Sequence, residues 1–286
     1  MPELPEVETI ARGLDQRVAG DVIESVWLGS KLEPLKSPPE EIVATLESRR
    51  IATVRRVGKH IVFDLEVNGV PRGRKAKKKP ARVKAQLGQA AQWVVHLGMT
   101  GRMLVCKPND EVEKHTHAIV RLASGRELRF VDPRRFGRLS VAHGFEAAGS
   151  EPLEVELERF VCLFRGRKTP IKSALLNQRL LSGVGNIYAD ESLFRARIRP
   201  RRRAASLSRQ DLRCLYLAVR EVLTEAIELG GSSVSDYVDA NGDEGSFQLQ
   251  HRVYGREGEP CLVCKTAIKR VVITGRSSHY CPKCQK

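Results

Sequence analysis

The spacing of hydrophobic residues divides the chain into a helix, a β-rich region and a helical region. Val7, Ile10 and Leu14 recur at helical spacing, which predicts a helix over 5–18. Between residues 21 and 140 the pattern changes to short runs rich in β-branched and aromatic residues, which predict eight strands. These strands are expected at 22–28, 51–57, 60–65, 92–97, 102–105, 117–122, 127–130 and 138–141.

Short strands separated by turn residues are typical of a sandwich or barrel-like domain. The pairs Ser124-Gly125 and Asp132-Pro133 are two such turn signals. An insert at 72–84 contains eight basic residues and no acidic one. We expect this insert to form a mobile loop between two strands.

The apolar positions follow a helical period from residue 157 onward, after a linker that we place at 142–155. Helices are expected at 157–164, 171–181, 186–195 and 209–229. Ser208 and Asp211 have the spacing of a capping box before the last of these helices, and Gly230 follows its end. The polar, glycine-rich residues 231–250 predict a loop.

The composition indicates a protein with a buried core and no membrane segment. The chain has 286 residues, of which 41% are hydrophobic and 29% charged, so it is long enough for two domains. No apolar run approaches the ~20 residues that a membrane helix needs. The first residues also lack the cationic and apolar regions of a secretory signal. We therefore expect a cytoplasmic protein.

The charge balance favours a polyanionic partner. Lys and Arg number 49 against 34 Asp and Glu, which gives a net charge of +15, and +7 remains after the eight cations of the insert are subtracted. A basic chain of this kind is typical of nucleic-acid binding. The alternative is a cationic surface that only improves solubility.

Four of the seven cysteines form a metal-binding pattern near the C-terminus. Cys261, Cys264, Cys281 and Cys284 make two C-x2-C pairs separated by sixteen residues. Four thiolates around one Zn²⁺ leave no open position for water, so the metal is expected to be structural. A disulfide framework is disfavoured by the odd count, and a thioredoxin-like site would need a βαβ context. The cations between the two pairs suit a finger that contacts DNA, although a finger that only covers the fold remains an alternative.

The N-terminus offers a candidate nucleophile. Removal of Met1 would expose Pro2 as a secondary amine, and an α-amino group has a pKa near ~8, so part of it is unprotonated at neutral pH. Such an amine can attack an aldehydic carbon and form an iminium. Glu3 and Glu6 follow as candidate proton donors. The alternative is an ordinary acidic first turn of a helix.

Two loops and one glycine-rich turn could contact nucleic acid. Arg134 and Phe136 in a turn, with Met99 in another, could wedge into a base stack. Backbone N–H groups at Gly183–Asn186 could hold a phosphate. The alternatives are a β-turn with a buried Phe and a plain connection between two helices.

The whole set of motifs resembles one family, the formamidopyrimidine-DNA glycosylases, from Pro2 to Lys286. The matching segments are MPELPEVE, VGKH, HLGMTGR, DPRRFGR, GVGNIYADE, VYGREGEPC and the four-cysteine finger. The resemblance implies an α+β multidomain fold with an N-terminal β-sandwich led by a helix. A helix–two-turns–helix domain and a zinc-finger β-hairpin complete it. It also implies a base-excision repair enzyme that flips out and excises 8-oxoguanine and formamidopyrimidines, then cleaves the abasic site by β,δ-elimination.

The resemblance assigns catalytic roles to five residues. Pro2 corresponds to the Schiff-base nucleophile, Glu3 to the acid that protonates the sugar or leaving group, and Glu6 to a supporting acid. Lys59 corresponds to the lysine of proton transfer in β-elimination, and Arg276 to the finger-tip arginine of δ-elimination.

The resemblance also assigns DNA contacts and boundaries. The residues that match DNA-contacting positions are His115, Arg134, Lys168 and Asn186, and those that match gap-filling positions are Met99, Arg134 and Phe136. The loop near 232–250 is expected to fold over the extruded base. The expected domains are a catalytic sandwich at 1–141, a linker at 142–155, a helical DNA-binding domain at 156–250 and a zinc finger at 251–286. The insert at 72–84 is longer than the family pattern, which leaves its role open.

Three rival functions are weighed against this one. An endonuclease VIII-like enzyme for oxidised pyrimidines is disfavoured by Leu4 and by the DPRRFG segment. A non-catalytic zinc-finger DNA-binding protein is disfavoured by the complete set Pro2, Glu3, Lys59 and Arg276. Tautomerases that use an N-terminal proline are much shorter and have no zinc finger. We expect a monomer whose partner is damaged double-stranded DNA and whose only cofactor is one structural Zn²⁺.

Overall fold

The computed structural model describes residues 2–67, 91–233, 237–240 and 242–286. The basic insert expected at 72–84 lies outside these residues. Among the described residues, no helix combines the length and the apolar character needed to span a bilayer.

Two antiparallel sheets form the N-terminal half. Its elements are α1 (Leu4–Val18), β1 (Ile23–Leu28), α2 (Pro39–Leu46), β2 (Arg49–Val57), β3 (His60–Val67), β4 (Ala91–His96), β5 (Arg102–Cys106), β6 (Thr116–Leu122), β7 (Glu127–Val131) and β8 (Arg138–His143). The sheet orders are β1-β6-β7-β5 and β2-β3-β4-β8. Apolar side chains of both sheets, among them Phe63, Trp93 and Phe130, share one core. This arrangement is the expected sandwich.

Helices and one hairpin form the C-terminal half. Its elements are α3 (Leu157–Phe164), α4 (Ile171–Leu175), α5 (Asn186–Arg195), α6 (Arg209–Glu228), β9 (Lys269–Ile273) and β10 (Arg276–Tyr280). Short 3₁₀ turns lie at Ala204–Ser206 and Phe247–Gln250. Helix α6 begins with the predicted capping box, in which Ser208 and Asp211 exchange side chain–backbone hydrogen bonds of 3.0 Å.

Helix α1 connects the two halves. Val7, Ile10 and Leu14 pack into the core of the sandwich, whereas Leu4 packs into the helical core with Phe160 and Tyr188. The N-terminal residues therefore lie where the two cores meet, and this position places the start of the chain beside the site described below.

Most predicted elements are confirmed, one predicted helix is too long, and one helix was not predicted. Each predicted strand is present, as are the helices at α1, α3, α5 and α6. The helix predicted to reach residue 181 ends at Leu175, because the side chains of Asn177 and Gln178 bond nearby backbone groups instead. Helix α2 was not predicted, although Pro39 in its first turn and the buried Ile42 and Leu46 are ordinary helix signals.

Candidate active site and metal centre

A cavity of about 520 Å³ lies where α1, the β2–β3 turn, the start of α5 and the tip of the β9–β10 hairpin meet. Its lining includes Glu3, Lys59, Asn186 and Arg276, four residues that the sequence analysis singled out from distant parts of the chain. Pro2 is buried next to Glu3 in the chain. The structure therefore brings a candidate acid, two cations and a polar amide to one cavity.

Glu3 lies against the N-terminus of α5. The Ile187 N–H donates to Glu3 Oε1 at 3.2 Å, while Glu3 Oε2 is a buried oxygen without a hydrogen-bond partner among the described residues. A Cβ on Gly185 would lie 2.1 Å from the Glu3 carboxyl carbon, so only glycine allows this approach. Burial raises the pKa of Glu3 to about 7, although the charge of Lys59 opposes the shift. A carboxyl group that is half protonated near neutral pH can act as a general acid.

Glu6 is buried behind Glu3 and is fully hydrogen-bonded. Its Oε2 accepts from the Glu3 N–H at 2.7 Å, and its Oε1 accepts from the Ser232 N–H at 2.8 Å and from the Tyr188 hydroxyl. Burial raises the pKa of Glu6. This carboxyl group ties α1 to α5 and to the first residues of the loop at 231–250, which suits an orienting role.

Lys59 reaches the cavity from a tight turn. Gly58 has φ +59°, and a Cβ there would lie 2.2 Å from the Ser182 hydroxyl oxygen. The Lys59 side chain is buried, and this burial lowers its pKa, although the charges of Glu3 and Glu6 act in the opposite direction. An amine with a lowered pKa is more readily available as a base.

Arg276 is the first residue of β10, next to the tip of the hairpin. Thr274 and Gly275 form a two-residue turn with φ values of +48° and +74°, and Arg276 pairs with Ile273 across it. Positive φ at both positions suits the type of turn that joins twisted antiparallel strands closely. Arg276 is exposed and lines the cavity.

Two exposed apolar side chains lie on neighbouring loops outside the cavity. Met99 is 40% exposed and Phe136 is 52% exposed. The Arg134 guanidinium carbon lies 4.9 Å from the centre of the Phe136 ring. Exposed apolar residues with an adjacent cation fit the wedge that the sequence analysis expects.

The buried Asp132 holds these two loops together. Its carboxylate accepts from the Thr100 hydroxyl at 2.6 Å and from the Gly137 N–H at 2.7 Å. A Cβ on Gly98 would lie 2.5 Å from the Gly137 nitrogen, so the two backbones are in direct contact. Met99 and Phe136 are therefore presented from a rigid base.

The remaining predicted DNA contacts are dispersed. His115 and Lys168 are exposed and do not line the cavity. Asn186, the first residue of α5, donates from Nδ2 to the Ser277 hydroxyl at 3.3 Å. The structure thus unites Glu3, Lys59, Asn186 and Arg276, while His115 and Lys168 lie outside that group.

Several residues of the site escaped the sequence analysis. His96 lines the cavity, and burial lowers its pKa to about 4. Glu191 is buried and accepts hydrogen bonds from the N–H groups of residues 252–254, before the first cysteine of the finger. Lys172 and Asp190 form a buried ion pair. Adjacent acidic residues inside the otherwise apolar helix α5 are the signal that could have revealed Asp190 and Glu191.

The four C-terminal cysteines form a metal centre. Their sulfur atoms lie within 4.8 Å of one another. Cys261 and Cys284 are 3.9 Å apart, and Cys264 and Cys281 are 3.4 Å apart. Tetrahedral Zn–S bonds of about 2.3 Å place sulfur atoms about 3.8 Å apart, so the set fits one Zn²⁺. Since all four ligands are sulfur, the zinc is structural, as the sequence predicted.

Loss of the zinc is expected to weaken DNA binding by about a hundredfold, or about 3 kcal/mol, the size of one or two lost Arg or Lys contacts. The reason is that the core beneath the β9–β10 hairpin is small, and two of its five buried members, Cys261 and Cys281, are zinc ligands. Cys264→Ser should lose zinc and affinity for duplex DNA, measured by metal release and by fluorescence titration. Cys162→Ser, at an exposed cysteine outside the cluster, is the matched control. Undiminished affinity after zinc loss would contradict a role of the finger in binding.

Profiles of known protein families match three successive parts of the chain. Residues 1–139 match the profile of the formamidopyrimidine-DNA glycosylase N-terminal domain, and residues 148–238 match the H2TH domain of the same enzymes. Residues 258–286 match the zinc finger found in FPG and IleRS.

Relatives and solved structures agree with the profiles. The chain is 44% identical over 291 residues to a formamidopyrimidine-DNA glycosylase from Solibacter usitatus, with both chains covered completely. It aligns with the MutM (Fpg) protein of Thermus thermophilus at a TM-score of 0.82 and 41% identity, covering 99% of this chain and 98% of the other. It also aligns with the Lactococcus lactis protein bound to DNA containing N7-benzyl-Fapy-dG, at a TM-score of 0.84 and 30% identity over 100% of both chains.

Proposed function

The chain belongs to the formamidopyrimidine-DNA glycosylase family, and we propose that it removes oxidised purines from duplex DNA and then cuts the abasic strand. Membership makes it a base-excision repair glycosylase and lyase. The observation that carries the finer proposal is the convergence of Glu3, Lys59 and Arg276 on one cavity next to Pro2 in the chain.

Excision begins with the amine of Pro2, once Met1 is removed. The nitrogen attacks C1′ of the damaged nucleotide and loses its proton while the bond from C1′ to the base breaks. The bond from C1′ to the ring oxygen O4′ then breaks, O4′ takes up a proton, and an iminium on the opened sugar results. Glu3, whose pKa is raised to about 7 by burial, gives its proton to the sugar or to the leaving base. The Glu6 carboxylate holds the Glu3 backbone in place through its 2.7 Å hydrogen bond.

Strand cleavage follows from the iminium. The positive nitrogen makes the C2′ proton acidic, Lys59 assists its removal, and the bond from C3′ to the phosphate oxygen breaks. A second elimination removes the C4′ proton and breaks the bond from C5′ to its phosphate oxygen, with Arg276 beside the departing phosphate. Burial of Lys59, which lowers its pKa, supports its part in the proton transfer.

Access to the base requires its extrusion from the duplex, which costs a few kcal/mol. Met99, Arg134 and Phe136 fill the space left in the stack and offset part of this cost. His115, Lys168 and Asn186 hold phosphates, and the net charge of +15 favours binding through counterion release. The loop near 232–250 is proposed to cover the extruded base; residues 234–236 and 241 of this loop lie outside the described residues.

One chain is sufficient for this activity, because it supplies every proposed catalytic group and the zinc ligands. We therefore propose a monomeric enzyme. Its catalytic part spans 1–141, its helical DNA-binding part 156–250 and its finger 251–286, with a linker at 142–155. The two cores of the sandwich and of the helical region support these boundaries, except that Leu4 packs into the helical core and Tyr237 and Ala240 pack into the core of the sandwich.

Borohydride trapping tests the proposal. Zinc-loaded protein without Met1 should form a covalent adduct with a duplex that carries 8-oxoguanine opposite cytosine, and should release the base without borohydride. Absence of both on this duplex would contradict the assignment to oxidised purines. A thymine glycol duplex run in parallel would then distinguish an enzyme for oxidised pyrimidines from a protein that only binds DNA.

A further inference from the structure

A buried ion pair lies next to the strand that carries Arg276. Lys172 Nζ of α4 is 2.6 Å from Asp190 Oδ1 of α5. Both residues have a relative exposure of 0%. The proposed chemistry makes no use of either residue, although charges are rarely buried to this degree without a specific task.

The pair holds β10 at the residues directly after Arg276. Lys172 Nζ donates to the Ser277 carbonyl oxygen at 2.6 Å, and the His279 N–H donates to Asp190 Oδ2 at 2.9 Å. On the other side of Arg276, the hydroxyl groups of Ser173 and Thr274 are 2.9 Å apart. Helix α4 therefore contacts the hairpin both before and after Arg276.

Packing alone does not account for an ammonium group at this place. A buried ion pair is seldom more stabilising than apolar side chains of the same size. An ammonium, however, supplies a directional hydrogen bond to a carbonyl oxygen, which apolar atoms cannot supply. Burial lowers the pKa of Lys172, while the neighbouring Asp190 favours the charged form, so the carboxylate keeps the donor in place.

We propose that Lys172 and Asp190 form a positioning unit that fixes the Ser277 carbonyl and thereby holds Arg276 at the cavity for the second elimination. This inference rests on the proposed function, because it assigns to Arg276 the δ-elimination. Lys172 and Asp190 do not contact the DNA themselves, because they act through the backbone of β10.

The test uses the double variant Lys172→Met/Asp190→Asn. It removes both charges together, so no unpaired charge stays buried, and Asn retains an oxygen for the His279 N–H. The matched control is Glu127→Gln/Arg129→Met, which neutralises a second buried pair in the sandwich, joined at 2.7 Å. Zinc content and thermal unfolding are measured for both variants.

Two readouts separate positioning from general stability. On a duplex with a preformed abasic site, the double variant should lower the ratio of δ- to β-elimination product about tenfold, the effect of a small displacement of a catalytic group. The rate of borohydride trapping should stay within about twofold of the wild type. Hydrogen exchange of the β10 amides in the free protein should become faster. The control should change neither the product ratio nor the exchange of β10.

An unchanged product ratio overturns the inference, whether or not the exchange of β10 rises. A fall in ratio that the control variant reproduces also overturns it, because the effect would then come from lost stability. A wild-type protein that is trapped but stops after the first elimination contradicts the proposed function instead. In that case, hydrogen exchange of the β10 amides is the remaining test of whether the Lys172–Asp190 pair holds β10.

Discussion

Pro2→Gly is expected to lower the rate of covalent trapping on an 8-oxoguanine duplex by about a thousandfold. The secondary amine of proline forms an iminium that keeps its positive charge. The primary amine of glycine forms an imine that must first gain a proton to withdraw electrons as strongly. Proline also fixes the backbone next to Glu3, whereas glycine leaves it free. The measurement is single-turnover trapping with borohydride.

Pro2→Gly needs a control for DNA binding, because the buried position of Pro2 also contributes to packing. The variant should bind a duplex with a non-cleavable abasic analogue within about threefold of the wild type. Trapping at the wild-type rate would contradict a need for the secondary amine of proline, because the α-amine of the glycine variant can still form a Schiff base. The buried amine of Lys59, which lines the same cavity, would then be tested by Lys59→Met.

Glu3→Gln is expected to lower base release by about a thousandfold while cleavage of a preformed abasic site falls less than about tenfold. The amide keeps the shape of the side chain and can still accept from the Ile187 N–H, but it has no acidic proton for the sugar or the departing base. Release of 8-oxoguanine and cleavage of an abasic duplex are measured on the same preparation. Equal losses in both reactions would contradict the role of Glu3 as the excision acid.

The pH dependence provides a second check on Glu3. Base release needs both the Glu3 proton and the unprotonated amine of Pro2. Because burial raises the pKa of Glu3 to about 7 and an α-amino group has a pKa near ~8, the rate of base release should level off between these values and fall about tenfold per pH unit above ~8. Abasic-site cleavage should instead rise with pH toward the pKa of the N-terminal amine, near ~8. In the Glu3→Gln variant, the rate of base release should not decrease at high pH. Parallel pH profiles for the two reactions would contradict the assignment.

The same pKa shift predicts a gain in stability for Glu3→Gln. The folded protein binds the Glu3 proton more tightly than the unfolded chain, so its free energy of unfolding decreases as the pH rises from 4.5 to about 7. Above that range the loss is of the order of 3 kcal/mol. The amide cannot ionise, so the variant should unfold at a higher temperature than the wild type at pH 8 and not at pH 4. The difference in free energy of unfolding at pH 8 is the stability that the wild type loses because it keeps an ionisable acid buried in the cavity.

Local sequence patterns predicted much of the fold. Alternating apolar residues and turn pairs predicted the strands of both sheets, and the capping box at Ser208 marked the start of α6. Local patterns failed where polar side chains compete with the backbone. The hydrophobic spacing after Ile171 continues to Leu181, but Asn177 and Gln178 bond the main chain and end α4 at Leu175.

By itself, the sequence determined the zinc ligands, the family and the candidate residues of the site. It could do so because two C-x2-C pairs bring sulfur atoms together by local geometry, and because the order of the motifs is specific. Only the tertiary structure shows the surroundings of these candidates. The pKa of Glu3 depends on burial against residues 185–187, and the place of Arg276 depends on contacts with α4 and α5. Burial and electrostatic interaction are sums over groups that are distant along the chain, so no local pattern contains them.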